Sequence, residues 1–565
     1  MECTSCDPQI RPDRPHTFFA HAPDTCGGCG AAIEARVVLR DGAVFHLLFC
    51  PACGQSEKQV SDDATAYVAA FVARAEPHTP AEHVFKQTTS TCPTCLALLL
   101  VDVVVRDGKV WFKKQCDRCG PSEALVSEDA AYYARAYAFA RAGTEPLQFR
   151  GTVEHGCPTD CGTCGDHEQH TCLPIIEVTD HCNLECPICI VDNQYSQHMA
   201  PADFATLIDK LVEAEGQCES VAISGGEPTS HPQILELLKI AARPAIGRVV
   251  LITNGLRLGK DRAFAQAVKD TGAYVGLQLD GFDDEVHRAI RGRDLQAEKD
   301  AALAALRELR IPTQLIFVAT RGVNDHQIGR AVELLIAEDH ILSLNFQPAA
   351  YTGQGGGAFA HDPLDRLTIP GVIARIGEQT GGKVAASDFF PLPCSHPQCV
   401  SLTYLLRLGP GDAVPFARFV DFEKHATLLR SSATLPANSE VEDALHEVIH
   451  DTFAIADELP RGDEILQALR RAVDEMFPGR PVDAREALRL SEAQSKSIFL
   501  HHYMDRHDFD LERLRKCCHH YPQLDGKIMP ACGFNMFHRG AAKGAHTPRA
   551  PWGKAPSLVR LPVIP

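Results

Sequence analysis

The sequence predicts an α/β chain. Its centre is a partial (β/α)6 barrel, preceded by tandem metal-ribbon units and followed by a mainly helical C-terminal auxiliary-cluster domain. Three observations predict it. Six short, β-rich apolar runs, at 175–180, 220–225, 248–253, 274–280, 313–320 and 343–350, alternate with helical patterns. A C-x2-C-x20-C-x2-C spacing occurs twice near the N-terminus, and further cysteines flank helical segments near the C-terminus. A chain of 565 residues exceeds what one core supports. The boundaries expected are 1–78 and 79–148 for the ribbon units, 149–174 for a cluster segment, 175–390 for the barrel, 391–537 for the C-terminal domain and 538–565 for a flexible basic tail.

The ribbon units are an internal duplication. Cys26, Cys29, Cys50 and Cys53 recur 66 residues later as Cys92, Cys95, Cys116 and Cys119. The match extends to Arg40, Asp41 and Gly42 against Arg106, Asp107 and Gly108, and to Asp63, Ala64 and Tyr67 against Asp129, Ala130 and Tyr133. Asp-Gly between β-rich runs marks a tight hairpin. Two C-x2-C knuckles bring four sulfurs to one tetrahedral ion, zinc or rubredoxin-like mononuclear iron. A short helix should follow, from about Asp62 and about Glu128. Each unit alone buries little core, so metal should supply much of its stability. Cys3 and Cys6 form a further pair without an evident partner.

Next come Cys157, Cys161 and Cys164 in C-x3-C-x2-C spacing, with Cys172 eight residues on. Four thiolates fill a [4Fe–4S] cluster, so this set is expected to be closed, with His167 and His170 as polar loop residues. Cys182, Cys186 and Cys189 repeat the spacing directly after the first barrel strand. Three thiolates leave one iron of a cluster open, as a reactive centre needs.

Helical patterns separate the barrel strands, as at 201–216, where Phe204, Leu207, Ile208, Leu211 and Val212 share a face. In βα folds chemistry gathers at the C-terminal ends of strands. There lie the three cysteines, then Ser224, Gly225, Gly226, Glu227 and Pro228, then Asn254, then Gln278 and Asp280, then Gln347. The two glycines are expected to let a ligand approach the backbone. Isolated Cys218 reads as a core residue.

Beyond the barrel, helices are expected at 439–458 and 462–477. Cys394, Cys399, one of Cys517 and Cys518, and Cys532 are expected to close another cluster.

Composition narrows the function. A net charge of −18 argues against a nucleic-acid partner. No apolar run is long enough to span a bilayer, and no secretory signal is evident, so a cytoplasmic protein is expected. In such a chain 23 cysteines point to metals rather than disulfides.

The C-x3-C-x2-C loop at 182–189, the Gly-Gly-Glu-Pro stretch and the six βα units resemble the radical S-adenosylmethionine superfamily. The resemblance implies a [4Fe–4S] cluster on Cys182, Cys186 and Cys189 whose open iron binds S-adenosylmethionine, with Gly225 to Pro228 holding the methionyl amino group. It also implies reductive cleavage to a 5′-deoxyadenosyl radical. Ser224, Asn254, Gln278 and Asp280 are candidates for the same cofactor pocket.

From about 88 to 536 the chain resembles a subfamily that includes a tetraether lipid synthase and pterin-precursor methylases. The carrying stretches are 156–172, Ser224 to Thr229, 394–406 and 517–535. The first ribbon unit is the departure from that pattern. Two auxiliary clusters and a reductant such as a flavodoxin or ferredoxin are implied. The expected reaction is carbon–carbon bond formation at an unactivated carbon, with a lipid hydrocarbon chain ahead of methyl transfer to a pterin precursor and of peptide maturation. A lipid substrate would bring peripheral membrane contact. The non-enzyme alternative is an iron–sulfur electron carrier, which would need no cofactor pocket.

Overall fold

The computed structural model describes residues 11–76, 82–153, 156–191, 197–353, 359–430, 432–434, 438–480 and 482–539. Cys3, Cys6 and the tail beyond 539 lie outside them.

Each ribbon unit is a four-stranded antiparallel sheet: β1 (Thr17–Thr25), β2 (Ala32–Arg40), β3 (Ala43–Cys50) and β4 (Gly54–Ser61), then β5 (Glu82–Thr91), β6 (Leu98–Arg106), β7 (Lys109–Cys116) and β8 (Gly120–Ser127). The Asp-Gly pairs turn β2 into β3 and β6 into β7. Asp41 and Gly42 stand at φ 51° and 77°, Asp107 and Gly108 at 52° and 70°, the left-handed geometry that a two-residue hairpin requires. The expected helices are Ala64–Ala73 and Ala130–Ala136, capped by the side chains of Asp63 and Asp129.

The knuckles join β1 to β2 and β3 to β4, and likewise in the second unit, and the four sulfurs of each unit lie within 4.8 Å of one another. Cys29 and Cys50 sulfurs are 3.6 Å apart, Cys95 and Cys116 sulfurs 3.7 Å. A tetrahedral ion with bonds of about 2.3 Å would set them about 3.8 Å apart. Residues and spacing therefore fit one ion per unit. Metal analysis of the full-length protein should show the loss of about one equivalent in Cys29→Ser and another in Cys95→Ser; an unchanged count in either would refute that site.

The units do not rely on metal alone. They pack on each other through Phe19, Phe71, Phe85, Tyr133 and Tyr137, with ring centroids of Phe71 4.8 Å from Phe85 and 5.0 Å from both Phe19 and Tyr137. Duplication gives each copy the core it lacks alone.

The barrel strands are β9 (Leu173–Glu177), β10 (Cys218–Ser224), β11 (Ile246–Thr253), β12 (Tyr274–Gln278), β13 (Thr313–Ala319) and β14 (Ile341–Pro348), all parallel in that spatial order. Helices such as Pro201–Glu215 bury Phe204, Leu207, Ile208 and Leu211 against the sheet's outer face, with Cys218 in the same core. Alternation along the strands divides the residues. Val221, Ile223, Leu315, Phe317, Leu344 and Phe346 face the helices. Ser220, Ala222, Gln314, Ile316, Asn345 and Gln347 face inward.

Helices Ser439–Ala454 and Gly462–Met476 occupy the C-terminal part, as expected, and a further helix, Ala484–Gln494, follows them. The sequence did not show that strands around them join the barrel sheet. These are β15 (Phe390–Pro391), β16 (Val400–Gly409), β17 (Asp412–Pro415), β18 (Ser495–His501), β19 (His519–Pro522) and β20 (Ile528–Pro530). β18 continues the parallel run beside β14, β16 lies antiparallel on β18, and β19 pairs in parallel with β9. The end of the chain thus completes both edges of the sheet. Arg539, expected in the mobile tail, is 4% exposed and grips Glu177 at the end of β9 through two bonds of 3.0 and 2.8 Å.

One buried carboxylate ties the ribbons to this part. Glu512 accepts from Lys86 Nζ at 2.7 Å, Tyr137 Oη at 2.8 Å and the His21 backbone N–H at 2.7 Å, and lies 3.0 Å from His396 Nε2.

Candidate functional site

The loop carrying Cys182, Cys186 and Cys189 leaves the C-terminal end of β9, and the stretch after β10 locks it in place. Gly226 donates its N–H to Thr179 O at 2.7 Å and Glu227 to His181 O at 2.8 Å. Gly225 stands at φ 143°, and a Cβ there would meet Thr179 O at 2.3 Å; one on Gly226 would meet His181 O at 2.4 Å. The glycines were expected to admit a ligand. They let the cysteine loop approach the backbone, and both also line the cavity where a ligand would lie.

Glu227 is 2% exposed and accepts from Thr229 N–H (3.0 Å), Thr229 Oγ1 (2.6 Å), Thr253 Oγ1 (2.6 Å) and Asn254 N–H (2.8 Å). Its carboxylate thus braces the ends of β10 and β11. Pro228 opens a short 3-10 turn beside it. Asn254 Nδ2 donates to Asn183 Oδ1 at 2.7 Å, tying β11 to the cysteine loop.

The loop roofs a cavity of about 280 Å³ inside the barrel. Cys182, Cys186, Cys189, Ser224, Gly225, Gly226, Glu227, Asn254 and Gln278 line it; Pro228 and Asp280 do not. Asp280 is fully buried behind the wall, where it takes Arg291 Nε at 2.6 Å and Val318 N–H at 3.0 Å. Its expected contact with the cofactor is replaced by a hold on Arg291, which does line the cavity and directs a guanidinium N–H to Cys186 Sγ at 3.8 Å. Burial opposes the charge on Arg291, but Asp280 outweighs it and keeps the guanidinium charged. The sequence offered no signal for Arg291, because it sits a helix away from every motif.

The residues present fit an iron–sulfur cluster with an open iron. Besides Arg291, the Leu184 N–H points at Cys182 Sγ at 3.4 Å, so two sulfurs carry donors that favour the thiolate. Burial pushes the Cys182 thiol up to about 12 and the Cys189 thiol upward, so without metal these groups stay protonated. With the cluster and S-adenosylmethionine bound, the chemistry supplied is one-electron cleavage of a sulfonium bond. Arg291 would place positive charge beside a cluster held by Cys186. Arg291→Gln should therefore lower the cluster's potential by roughly 50 mV, near a tenfold change in a one-electron equilibrium. An unshifted midpoint in an EPR-monitored redox titration would rule out this role.

The remaining cysteines group differently from the expectation. Cys172 was expected to join Cys157, Cys161 and Cys164. Instead its sulfur lies with those of Cys394 and Cys518, all within 4.8 Å of one another. The cause is the pairing of β9 with β19: Cys172 and Leu173 both donate N–H to Cys518 O, at 3.0 and 3.1 Å. Cys399, Cys517, Cys518 and Cys532 line a smaller neighbouring cavity. Cys161 lies beside them, since a Cβ on Gly533 would meet its sulfur at 2.8 Å. The expected set of Cys394, Cys399, Cys532 and one of the 517/518 pair is therefore split: Cys394 and Cys518 gather with Cys172, while Cys399, Cys517 and Cys532 line the smaller cavity, which Cys518 also reaches. His167 and His170 lie in the loop before β9, and both are buried there; His167 Nε2 bonds Cys517 O at 2.7 Å.

Residues 176–335 match the family model of the radical SAM superfamily, and residues 84–128 match that of the HMPTM N-terminal zinc ribbon domain. The chain is 28% identical over 495 residues to the 7,8-dihydro-6-hydroxymethylpterin dimethyltransferase of Methanocaldococcus jannaschii, covering 80% of this chain and 94% of that one. It is 34% identical over 177 residues to the GTP 3′,8-cyclase of Chlorobaculum tepidum, covering 30% of this chain and 51% of that one. Among solved structures, Streptococcus suis SuiB bound to its precursor peptide SuiA aligns with a TM-score of 0.31 at 18% identity, over 38% of this chain and 46% of that one. A radical SAM methyltransferase from Sphaerobacter thermophilus aligns with a TM-score of 0.28 at 12% identity, over 49% and 72%.

Proposed function

We propose that this chain, a radical S-adenosylmethionine enzyme, forms carbon–carbon bonds by adding one-carbon groups to a pterin-like nitrogen heterocycle. The observation that carries the reading is the barrel interior. Gln278, Gln314, Asn345 and Gln347 project into the cavity from adjacent parallel strands. Strands of a parallel sheet buried on both faces are otherwise near-continuous apolar runs. Side-chain amides there supply donors and acceptors for ring N–H and carbonyl groups. A hydrocarbon tail would leave them unpaired, at about 1–3 kcal/mol each.

The relative of M. jannaschii supports the same reading, because its similarity spans 94% of that protein. The lipid-tail reading favoured by the sequence gains no comparable support. Among the described residues no helix is long and apolar enough to cross a membrane. The electron would come from a low-potential carrier such as a flavodoxin or ferredoxin.

The test is anaerobic incubation of reconstituted enzyme with S-adenosylmethionine, a reductant and 7,8-dihydro-6-hydroxymethylpterin. 5′-Deoxyadenosine and a pterin heavier by one or two methyl groups are expected by mass spectrometry. An unmodified pterin alongside lipid-dependent 5′-deoxyadenosine formation would refute the reading.

A further inference from the structure

Glu219 lines the reaction cavity near the start of β10. It stands five residues before Ser224, which ends the strand, so roughly 16 Å of strand separates it from the end that carries the cysteine loop. An ionised carboxylate offers about four acceptor positions. Glu219 receives the Ala433 backbone N–H and faces Ser432 Oγ at 3.0 and 2.9 Å. The single Ser432 hydroxyl proton is contested, because Thr434 O lies 2.7 Å from the same oxygen. Arg248 lines the cavity too, but it directs Nε to Ser220 Oγ at 2.9 Å and Nη1 to Glu492. Burial pushes the Glu219 carboxyl up, so its charged form calls for donors that these contacts supply only in part.

Two further oxygens of the cavity lining are in the same condition. Among the described residues, Thr434 Oγ1 and Asn345 Oδ1 are buried without a hydrogen-bond partner. Thr434 belongs to the short segment that brings Ser432 and Ala433 to Glu219. Buried polar groups in folded proteins are normally paired. A carboxylate that only tied this segment to the sheet would have no need to face the cavity. Acceptors gathered on a cavity wall instead suit a ligand that brings N–H donors, and a carboxylate suits two parallel ones.

We propose that Glu219 binds the edge of the substrate heterocycle where a ring N–H stands beside an exocyclic amino group, as in a 2-amino-4-oxopyrimidine ring, with Thr434 Oγ1 as a further acceptor. This assignment rests on the heterocycle reading above and deepens it. With that edge fixed at Glu219, the second ring of a pterin extends toward the S-adenosylmethionine side. A 2-oxo ring would turn a carbonyl oxygen toward the carboxylate and be rejected.

The test is anaerobic equilibrium binding and turnover with full-length, cluster-loaded protein. Its probes are 7,8-dihydro-6-hydroxymethylpterin against its 2-oxo counterpart, and guanosine against xanthosine, which differ in the same way. Wild type should prefer the 2-amino member of whichever pair it binds by about 10- to 100-fold, the worth of a hydrogen bond to a charged group. Glu219→Gln should abolish that preference by weakening the 2-amino compound alone, raising KM while kcat stays largely unchanged. Glu219→Asp keeps the charge and should keep the preference. No binding of either 2-amino compound, no preference in wild type, or an undiminished preference in Glu219→Gln would overturn the assignment. So would an equal loss for both members of a pair, the mark of a merely structural contact to Ser432. A Glu219-dependent preference in a wild type that leaves the pterin unmethylated would refute the functional reading and keep Glu219 assigned. Methylation of the pterin without that dependence would do the reverse.

Discussion

Replacing Cys186 by alanine should reduce 5′-deoxyadenosine formation to background, a fall of about a thousandfold or more, equivalent to over roughly 4 kcal/mol of barrier. Two thiolates cannot hold a cluster whose other corner must stay open for S-adenosylmethionine. Cys186 is also the sulfur that faces Arg291, so the change leaves a buried guanidinium paired with Asp280 alone. The protein should still fold, because the loop is held by backbone bonds from Gly226 and Glu227 rather than by the thiol. The control is Cys218→Ala, a buried thiol in the apolar core between the barrel sheet and its helices. It should cost a little stability and no activity. Full 5′-deoxyadenosine yield from the Cys186→Ala protein would sink the assignment of the centre.

Glu512→Ala should cost about 3–5 kcal/mol of stability, because removing one partner of a buried pair strands the other. Here it strands Lys86, 3% exposed at its side chain, and leaves Tyr137 Oη and His21 N–H without their acceptor. The melting temperature of the full-length protein should fall, and the N-terminal ribbons should become the first region cut by a protease. A Glu512→Leu, Lys86→Met double variant should recover much of the loss. A melting temperature within a degree of wild type for Glu512→Ala would show that the contact carries no weight.

The same carboxylate sets a pH dependence. Burial pushes Glu512 upward, but Lys86, followed by His396, outweighs burial and holds it well below the usual carboxylate range. Its folded pKa is thus depressed, so its stabilisation is complete above the unfolded value near 4.3 and is lost as pH falls below it. Acid should loosen the ribbons in wild type, and Glu512→Ala should remove that part of the response.

How much was legible in the sequence depended on distance along the chain. The ribbons were readable because every determinant is local: the Asp-Gly turns, the knuckles and the Asp63 and Asp129 caps all fall within one 66-residue repeat. The six barrel strands were readable because the apolar runs are short and separated by periodic helices. The cysteine grouping was not. Spacing assigned Cys172 to its near neighbours, whereas a β ladder to His519 decides its position, and nothing in a linear sequence announces which strand will cover an edge. The glycines were legible as close-approach residues but not as to what approaches. Arg291, Gln314 and Asn345 were missed because each reads as an ordinary helix or strand residue until the barrel curls.

The pairing of β9 with β19 also has a consequence for biogenesis. At the ribosome the first barrel strand emerges long before its outer neighbour. With Leu173 paired to His519, the wait is roughly 20–70 s at the usual pace of translation. Through that interval a strand edge stands uncovered, inviting association with other chains. Cells that make this protein quickly should therefore accumulate aggregates of nascent chains, and slower synthesis or a chaperone that shields strand edges should raise the soluble yield.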